Sequence, residues 1–206
     1  MYLMGWNDFG AIIHRNDSKI ILPKGLRILS LRYHCHSRHL SDIFSSTAIE
    51  TLEELSLFGV LNTTQNIKPA PKLTSFIHDK MIHQEILTSL AIYSPLLTHL
   101  EMSFSSDDHF IFPIRTLRRA RFTSIRHDQL KEIIDKNPCL EELTLEVQDK
   151  QKEILTQQLI RLENLVTLDL LKNYEFSNAD VLFFLQNRSS RNKAIELDMT
   201  SDKMFL

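Results

Sequence analysis

The densest group of side chains suited to chemistry lies between residues 34 and 39. His34, Cys35, His36 and His39 are all possible zinc ligands. A tetrahedral zinc site usually takes its ligands from two separated pairs, and no second Cys/His pair lies nearby in the sequence. We therefore predict no metal site here. His34 and His36 are expected to be exposed turn residues, and Cys35 a small buried one.

A second group is basic and consists of five arginines between residues 115 and 126. Such a cluster could bind phosphate or RNA. The alternation of a strand, however, separates Arg118 from Arg119 and Arg121, so the cluster does not form one face. The only adjoining aromatic residue is Phe122, which should lie in the core rather than stack on bases. With a net charge of −2 as well, nucleic-acid binding is not expected.

Catalysis would need a nucleophile with a base partner. Cys139 stands at a predicted helix-strand junction, where we expect it to be packed. The chain contains no nucleophile elbow, no phosphate-binding glycine-rich loop and no paired histidine motif on a helix. Only four glycines are present, too few for the flexible loops of such sites. We predict neither an enzyme nor a bound cofactor.

The elements that would position these residues follow from a repeated pattern, L-x-x-L-x-L. The first positions of neighbouring copies are separated by 26, 21, 24, 20, 23, 25 and 29 residues. One match is common by chance, but eight in tandem are not. The Leu73 copy is the weakest, because His78 occupies its last apolar position. Clean copies start at Leu26, Leu52, Leu140 and Leu165, and looser ones at Leu73, Leu97, Leu117 and Ala194.

The spacing has a physical explanation. Within each copy the last two apolar residues mostly alternate with polar ones, which indicates a half-buried strand. A short strand must pair with the next copy, and each crossover between parallel strands needs a dozen or more residues, usually a helix. The sequence thus predicts an α/β fold, a leucine-rich-repeat solenoid of about eight repeats. Residues 26–206 would form this curved parallel sheet with outer helices, and residues 1–25 an N-terminal cap or degenerate repeat.

The segments between copies contain apolar residues at helical spacing. Pro95 and Pro138 follow the ends of two of these segments, as expected after a helix. Residues 62–71 are expected to form a loop. We predict five helices: one capped by Ser37 and carrying Leu40, Ile43 and Phe44; residues 82–94 with Ile82, Ile86, Leu87 and Leu90 inward; 128–136 with Leu130, Ile133 and Ile134; 151–162 with Ile154, Leu155, Leu159 and Leu162; and 178–186 with Val181, Leu182 and Leu185.

Two segments of the sequence resemble a known class of repeat. They run from Asn137 to Leu145 (NPCLEELTL) and from Ser94 to Met102 (SPLLTHLEM). Both resemble the cysteine-containing leucine-rich repeats of F-box/LRR proteins, in which a short helix ends near a Cys-Pro or Asn-Pro step. The resemblance covers most of the chain and implies a substrate-recognition domain of a ubiquitin-ligase receptor. The F-box itself is not recognisable, because the first 25 residues are too few to hold it, and an adaptor would be a partner only if an F-box exists elsewhere in the parent protein.

The chain as a whole suggests a soluble intracellular protein. The two cysteines suit a reducing compartment. The N-terminus lacks the basic start and clean apolar run of a signal peptide, and no run approaches the length that spans a bilayer. No membrane partner is expected. The alternative to a substrate-recognition domain is a scaffold or regulatory repeat protein unrelated to ubiquitination.

The expected binding surface is the concave face of the sheet, where the residues between the strand leucines point outward. Its C-terminal third would be acidic, and a basic pair would border the acidic stretch. We expect a protein partner, basic or of mixed charge, to cross this face. The predicted contact residues are Arg32, Glu54, Phe58, His99, Glu101, Arg119, Arg121, Glu142, Glu146, Asp169, Glu196 and Asp198.

Overall fold

The computed structural model describes residues 22, 24–32, 46–58, 68–104, 111–148, 151–171, 183–184, 186–187 and 196–198; of residues 31, 32 and 196–198 it describes the backbone only. The chain divides into two compact units, Met1–Ser103 and Phe104–Leu206. We call them unit 1 and unit 2. The predicted boundary between residues 25 and 26 stays a prediction, because nearly all residues before it lie outside the described ones.

Unit 1 contains a parallel sheet in which each strand pairs with the next one along the chain. The register is regular: Glu54 lies opposite Ile28 on one side and Ser75 on the other. An α/β fold with parallel strands is thereby confirmed for this unit. Its strands are β1 (Ile28–Arg32), β2 (Glu54–Phe58), β3 (Ser75–Met81) and β4 (His99–Ser103), with a 3-10 helix at Thr47–Thr51 and helix α1 at Gln84–Tyr93.

Unit 2 has the same organisation. Its strands also pair in parallel and in sequence order, with Arg119 opposite Glu142, and Glu142 opposite Thr167. The bounds are β5 (Arg119–Ile125), α2 (His127–Lys136), β6 (Glu142–Val147), α3 (Lys152–Leu159), β7 (Thr167–Leu170) and β8 (Glu196–Asp198).

The apolar positions of the repeated pattern form the core of each unit. Residues of the same position lie in register on neighbouring strands, as Leu55 does with Leu29 and Phe76. Burial of one leucine side chain contributes about 2 kcal/mol, so the aligned layers supply much of the stability. The buried pattern residues include Leu26, Leu52, Leu73 and Leu97 in unit 1, and Leu117, Leu140, Leu165, Leu143, Leu168, Phe122 and Leu145 in unit 2.

A backbone hydrogen-bond pattern recurs at the start of the strands. The carbonyl oxygen of Glu53 accepts from both Thr74 N–H (2.8 Å) and Ser75 N–H (3.1 Å). The carbonyl of the equivalent residue in a neighbouring copy also accepts two backbone N–H groups, and these carbonyls form a ladder. The hydroxyl groups of Thr74 and Thr98 donate to two of them as well. The ladder carbonyls belong to Arg27, Glu53 and Thr74 in unit 1, and to Arg118 and Glu141 in unit 2.

Three of the predicted helices are confirmed: α1 and α3 are shorter than predicted, and α2 begins one residue earlier. The inward residues predicted for α1 and α2 are buried. In α3 the prediction for Ile154 was wrong: its exposed fraction is 38%. The buried stripe of α3 runs through Leu155, Thr156, Gln158 and Leu159, and Ile154 stands at its edge in the first turn. The helix predicted after Ser37 lies outside the described residues, as does most of the one predicted at 178–186.

The connection before β5 departs from the strand-helix alternation in the part that is described. Residues 111–118 contain no helix and contact α2. Glu132 accepts from the Phe112 N–H (3.1 Å), and Lys136 Nζ donates to the Phe112 carbonyl (2.6 Å). Side chains of α2 therefore satisfy the backbone groups that a helix would have satisfied internally.

Helices α1 and α2 end in the same backbone conformation, each at a buried polar residue followed by proline. Ser94 has φ −126° and ψ 67°, and Asn137 has φ −127° and ψ 63°. Asn137 is fully hydrogen-bonded: its Oδ1 accepts from Leu117 N–H, and its Nδ2 donates to the carbonyls of Ile114 and Ile133, all at 3.0 Å. The Ser94 hydroxyl has no hydrogen-bond partner among the described residues.

Removal of the Asn137 amide should therefore destabilise unit 2. We expect Asn137→Ala to lower the free energy of unfolding by about 2–4 kcal/mol, because it leaves buried groups of Leu117 and Ile114 unpaired. Ser94→Ala is the matched control and should change stability by less than about 1 kcal/mol, since it removes no hydrogen bond. Chemical denaturation monitored by circular dichroism measures both, and equal losses for the two variants would contradict the role of Asn137.

His78 occupies an apolar position of the weakest copy and is nevertheless buried, with 8% of its surface exposed. Burial lowers the pKa of its imidazole, and a hydrogen-bond contact of 2.8 Å with the Lys80 carbonyl offsets only part of that effect. The neutral ring is thus the form that the folded unit accommodates.

This lowered pKa predicts acid sensitivity of unit 1. Below the pKa of an unfolded histidine, about 6.5, the unfolded chain binds a proton that the folded unit resists, so stability falls as the pH falls. We expect His78→Leu to raise stability by about 1 kcal/mol at pH 7.5 through better burial, and by more at pH 5.5. Leu57→Met, in the neighbouring strand at the same register position, should retain the wild-type pH dependence. A His78→Leu variant with undiminished acid sensitivity would refute the assignment.

Candidate protein-interaction face

The side chains between the buried strand positions share one side of each sheet, which we call the open face of the unit. In unit 1 they are half-buried or exposed, in contrast to their buried neighbours. Register places Glu54, Ser75 and His99 in one row across three strands. The open face of unit 1 comprises Ile28, Ser30, Glu54, Ser56, Phe58, Ser75, Ile77, His99, Glu101 and Ser103.

A row of three hydrogen-bonded side chains orders part of this face. His99 Nδ1 lies 3.0 Å from Ser75 Oγ, and His99 Nε2 lies 3.2 Å from Glu101 Oε1. The tautomer with the proton on Nε2 satisfies both contacts, because the hydroxyl then donates to Nδ1 and Nε2–H donates to the carboxylate. The imidazole and the carboxylate are therefore held in fixed positions.

The residue types of this hydrogen-bonded row match those of Ser-His-carboxylate hydrolases, but two backbone N–H groups of the row, those of Ser75 and His99, are not free to form an oxyanion hole. An oxyanion hole needs free backbone N–H groups beside the nucleophile. The N–H of Ser75 donates to the Glu53 carbonyl (3.1 Å), and that of His99 donates to the Thr74 carbonyl (3.0 Å). Both groups are committed to the sheet. We therefore interpret Ser75, His99 and Glu101 as an ordered polar patch.

Apolar side chains accompany this patch on unit 1. Phe58 and Ile77 lie on neighbouring strands and are half-buried. Ile28 is 53% exposed and Met81 50% exposed. Aromatic residues and methionine are enriched where proteins bind each other. The mixture of apolar side chains with fixed polar groups is thus typical of an interaction surface.

The open face of unit 2 is dominated by charge. Arg119, Arg121 and Glu142 are exposed, whereas Glu146 and Asp169 are half-buried. Thr123, Thr144, Thr167 and Leu171 are further described residues at these alternating positions. In register, Arg119 lies opposite Glu142, and Arg121 opposite Thr144, which in turn lies opposite Asp169. The basic side chains therefore lie on β5 and the acidic ones on β6 and β7.

Several arginines off the open face are paired with carboxylates. Arg27 donates two hydrogen bonds to Glu53 (2.8 and 2.6 Å), which lowers the pKa of that carboxyl. Arg118 contacts Glu141 at 2.5 Å, and Arg126 holds the pKa of Asp128 below its usual value. Arg119 and Arg121 make no ion pair within the described part of the chain. Their guanidinium groups are available to a ligand.

The structure gathers the predicted contact residues into two sets. Of Arg32, Glu196 and Asp198 only the backbone position is described: Arg32 lies opposite Phe58, and Asp198 opposite Asp169. The unit 1 set is Arg32, Glu54, Phe58, His99 and Glu101, and the unit 2 set is Arg119, Arg121, Glu142, Glu146, Asp169, Glu196 and Asp198.

Two features of the surface differ from expectation or were missed. Cys139 was predicted to be packed but is exposed, because it lies in the turn between α2 and β6. Met81 was missed, because β3 continues past the repeated pattern through a register shift and brings Met81 opposite Ser103. The group around His34 and Cys35 lies outside the described residues.

A second surface lies on the helical side of unit 1. A cavity of about 310 Å³ runs along α1 between Gln84 and Tyr93, and Ile92 on its wall is 63% exposed. Leu96, just after the helix, is 54% exposed. This helix surface is the alternative to the open face as a binding site.

Comparison with protein-family models and with curated proteins finds no match to this chain. The function must therefore be argued from the site itself. Within the ranges that the structure covers, no helix has the length and apolarity to cross a bilayer, and no three His, Cys, Asp or Glu side chains gather as metal ligands would.

Proposed function

We propose that this chain is a protein-interaction module built from leucine-rich repeats, whose open face binds a partner protein. The observation that carries the proposal is the alignment of the open-face residues: side chains equivalent in the repeat lie in register on successive strands. A partner laid across the strands would meet several copies at once. Repeat proteins commonly use such extended faces for recognition.

The composition of the open faces supports a protein partner. Unit 1 offers the apolar Ile28, Phe58 and Ile77 beside the fixed His99 and Glu101, and unit 2 offers both signs of charge. The α1 cavity, in contrast, is lined by residues of a single helix. We propose an intracellular role for the protein, in keeping with its few cysteines.

The more specific proposal is a substrate-recognition domain like those of F-box/LRR ubiquitin-ligase receptors. It rests on the resemblance of the segments at Ser94 and Asn137, where a helix ends at a residue followed by proline before the next strand. The alternative is a scaffold or regulatory repeat protein without a link to ubiquitination. Both proposals use the same open face.

Site-specific photocrosslinking tests the binding face. We expect a photoreactive benzoylphenylalanine at Ser56 or Thr144, both on the open face, to crosslink a discrete partner in cell extract. The same group at Ile92 or Lys131, both exposed on helices, should not crosslink that partner. Crosslinks from the helix positions alone would place binding on the helical side and refute the proposal.

The crosslinked protein, once purified, allows a quantitative test. Replacing Glu142, Asp169 and Asp198 with Ser should weaken its binding about tenfold, because charged groups at an interface set partner choice. A control variant with the same charge change, at Asp128, Glu153 and Glu163, lies off the open face and should bind normally. Undiminished binding by the first variant would contradict a role for the acidic residues.

Co-purification distinguishes the two specific functions. The full-length gene product, expressed with an affinity tag in its native cells, should bring down a ubiquitin-ligase adaptor if it is a substrate receptor. Glu142, Asp169 and Asp198 variants should keep the adaptor but lose the substrate, because the F-box would lie in another part of the protein. Recovery of the partner without any adaptor would favour the scaffold.

A further inference from the structure

We infer that the open face of unit 2 selects an extended segment of a partner protein that carries an acidic group and a basic group about 10 Å apart. The inference rests on the proposed function and names the chemistry of the partner. Its acidic group would lie over Arg119 and Arg121 of β5, and its basic group over the carboxylates that follow on β6 and β7.

The basic part of the site consists of two arginines on one strand. Arg119 and Arg121 are two residues apart and therefore point to the same side, about 7 Å from each other along β5. Both are exposed. A guanidinium group binds a carboxylate through two parallel hydrogen bonds, so this pair can hold one carboxylate between its members or one on each.

Neighbouring carboxylates form no ion pair with these arginines among the described residues. Glu142 lies opposite Arg119 in the register, yet the two make no ion pair in the described ranges. Arg118, one residue earlier, is paired with Glu141 at 2.5 Å. The Arg118–Glu141 pair thus forms off the open face, while Arg119 and Arg121 on the open face make no ion pair with any described residue.

The acidic part of the site begins on the next strand. Glu142 and Glu146 belong to β6 and Asp169 to β7, and Asp198 of β8 lies opposite Asp169. Three acidic side chains on β6 and β7 thus face two arginines on β5. A purely basic segment would be repelled at β5, and a purely acidic one at β6 and β7, so only a segment with both charges matches the whole face.

Strand geometry sets the spacing of the partner's charges. Neighbouring strands are about 4.8 Å apart, so β5 and β7 are separated by about 10 Å. An extended peptide advances about 3.3 Å per residue. A segment that crosses the strands should therefore place its acidic and basic residues about three positions apart.

Fluorescence anisotropy with short labelled peptides tests the inference. The probe has two glutamates, two serines and two lysines in that order, and two further probes replace either the glutamates or the lysines by glutamine. We expect the mixed-charge probe to bind wild-type protein about tenfold more tightly than either other probe, with affinity that falls as salt is added. The double variant Arg119→Ser/Arg121→Ser should remove this preference for glutamate.

The matched control is Arg115→Ser/Arg118→Ser, which removes the same charge from exposed arginines off the open face and should change the affinity less than about twofold. Equal binding of the mixed probe to both double variants, tighter binding of the lysine-only probe, or no binding of any probe would overturn the inference. If Thr144 still crosslinks a partner in those cases, the open face remains the binding site and only the charge selection fails. If crosslinking fails as well, the proposed function falls with it.

Discussion

Within each unit the described strands depend on their neighbours for backbone hydrogen bonds, because a strand cannot form these bonds within itself. The recurring acceptance of two N–H groups by a single carbonyl, as by Glu53, fixes where each copy begins relative to the one before. A slip of one residue would exchange the buried and open sides of a strand. The ladder therefore sets the register that buries Leu55 and exposes Glu54, and the open face exists because of it.

Two different residues, Ser94 and Asn137, hold equivalent positions at the ends of α1 and α2. Ser94 and Asn137 share φ and ψ within a few degrees, and proline follows both. Asn137 also ties the end of α2 to the segment before β5, whose described residues 111–118 contain no helix. The Ser94 hydroxyl makes no such contact among the described residues. The side chain thus adapts to the connection, whereas the backbone conformation is common to both.

Much of the fold could be predicted from the sequence, because apolar spacing reports directly on strand alternation and helix periodicity. The open-face residues followed from the same alternation. Contacts across copies could not be predicted: Ser75 and His99 are 24 residues apart and meet only once the register is set. Ile154 was misplaced because a short helix buries a narrow stripe, and Cys139 because residues in a turn need not follow the apolar pattern of their neighbours.

The ladder also bears on how such a chain can change over evolutionary time. Its carbonyls accept main-chain N–H groups whatever the side chain at the ladder position, so residues of different charge and size can occupy that position. Arg27, Thr74 and Glu141 hold equivalent positions in their copies despite differing in charge and size. Only the layered apolar residues are tightly restricted, and these can exchange among leucine, phenylalanine and methionine. Proteins that descend from one ancestor could therefore diverge until their sequences share little beyond the spacing of apolar residues, while the fold is retained.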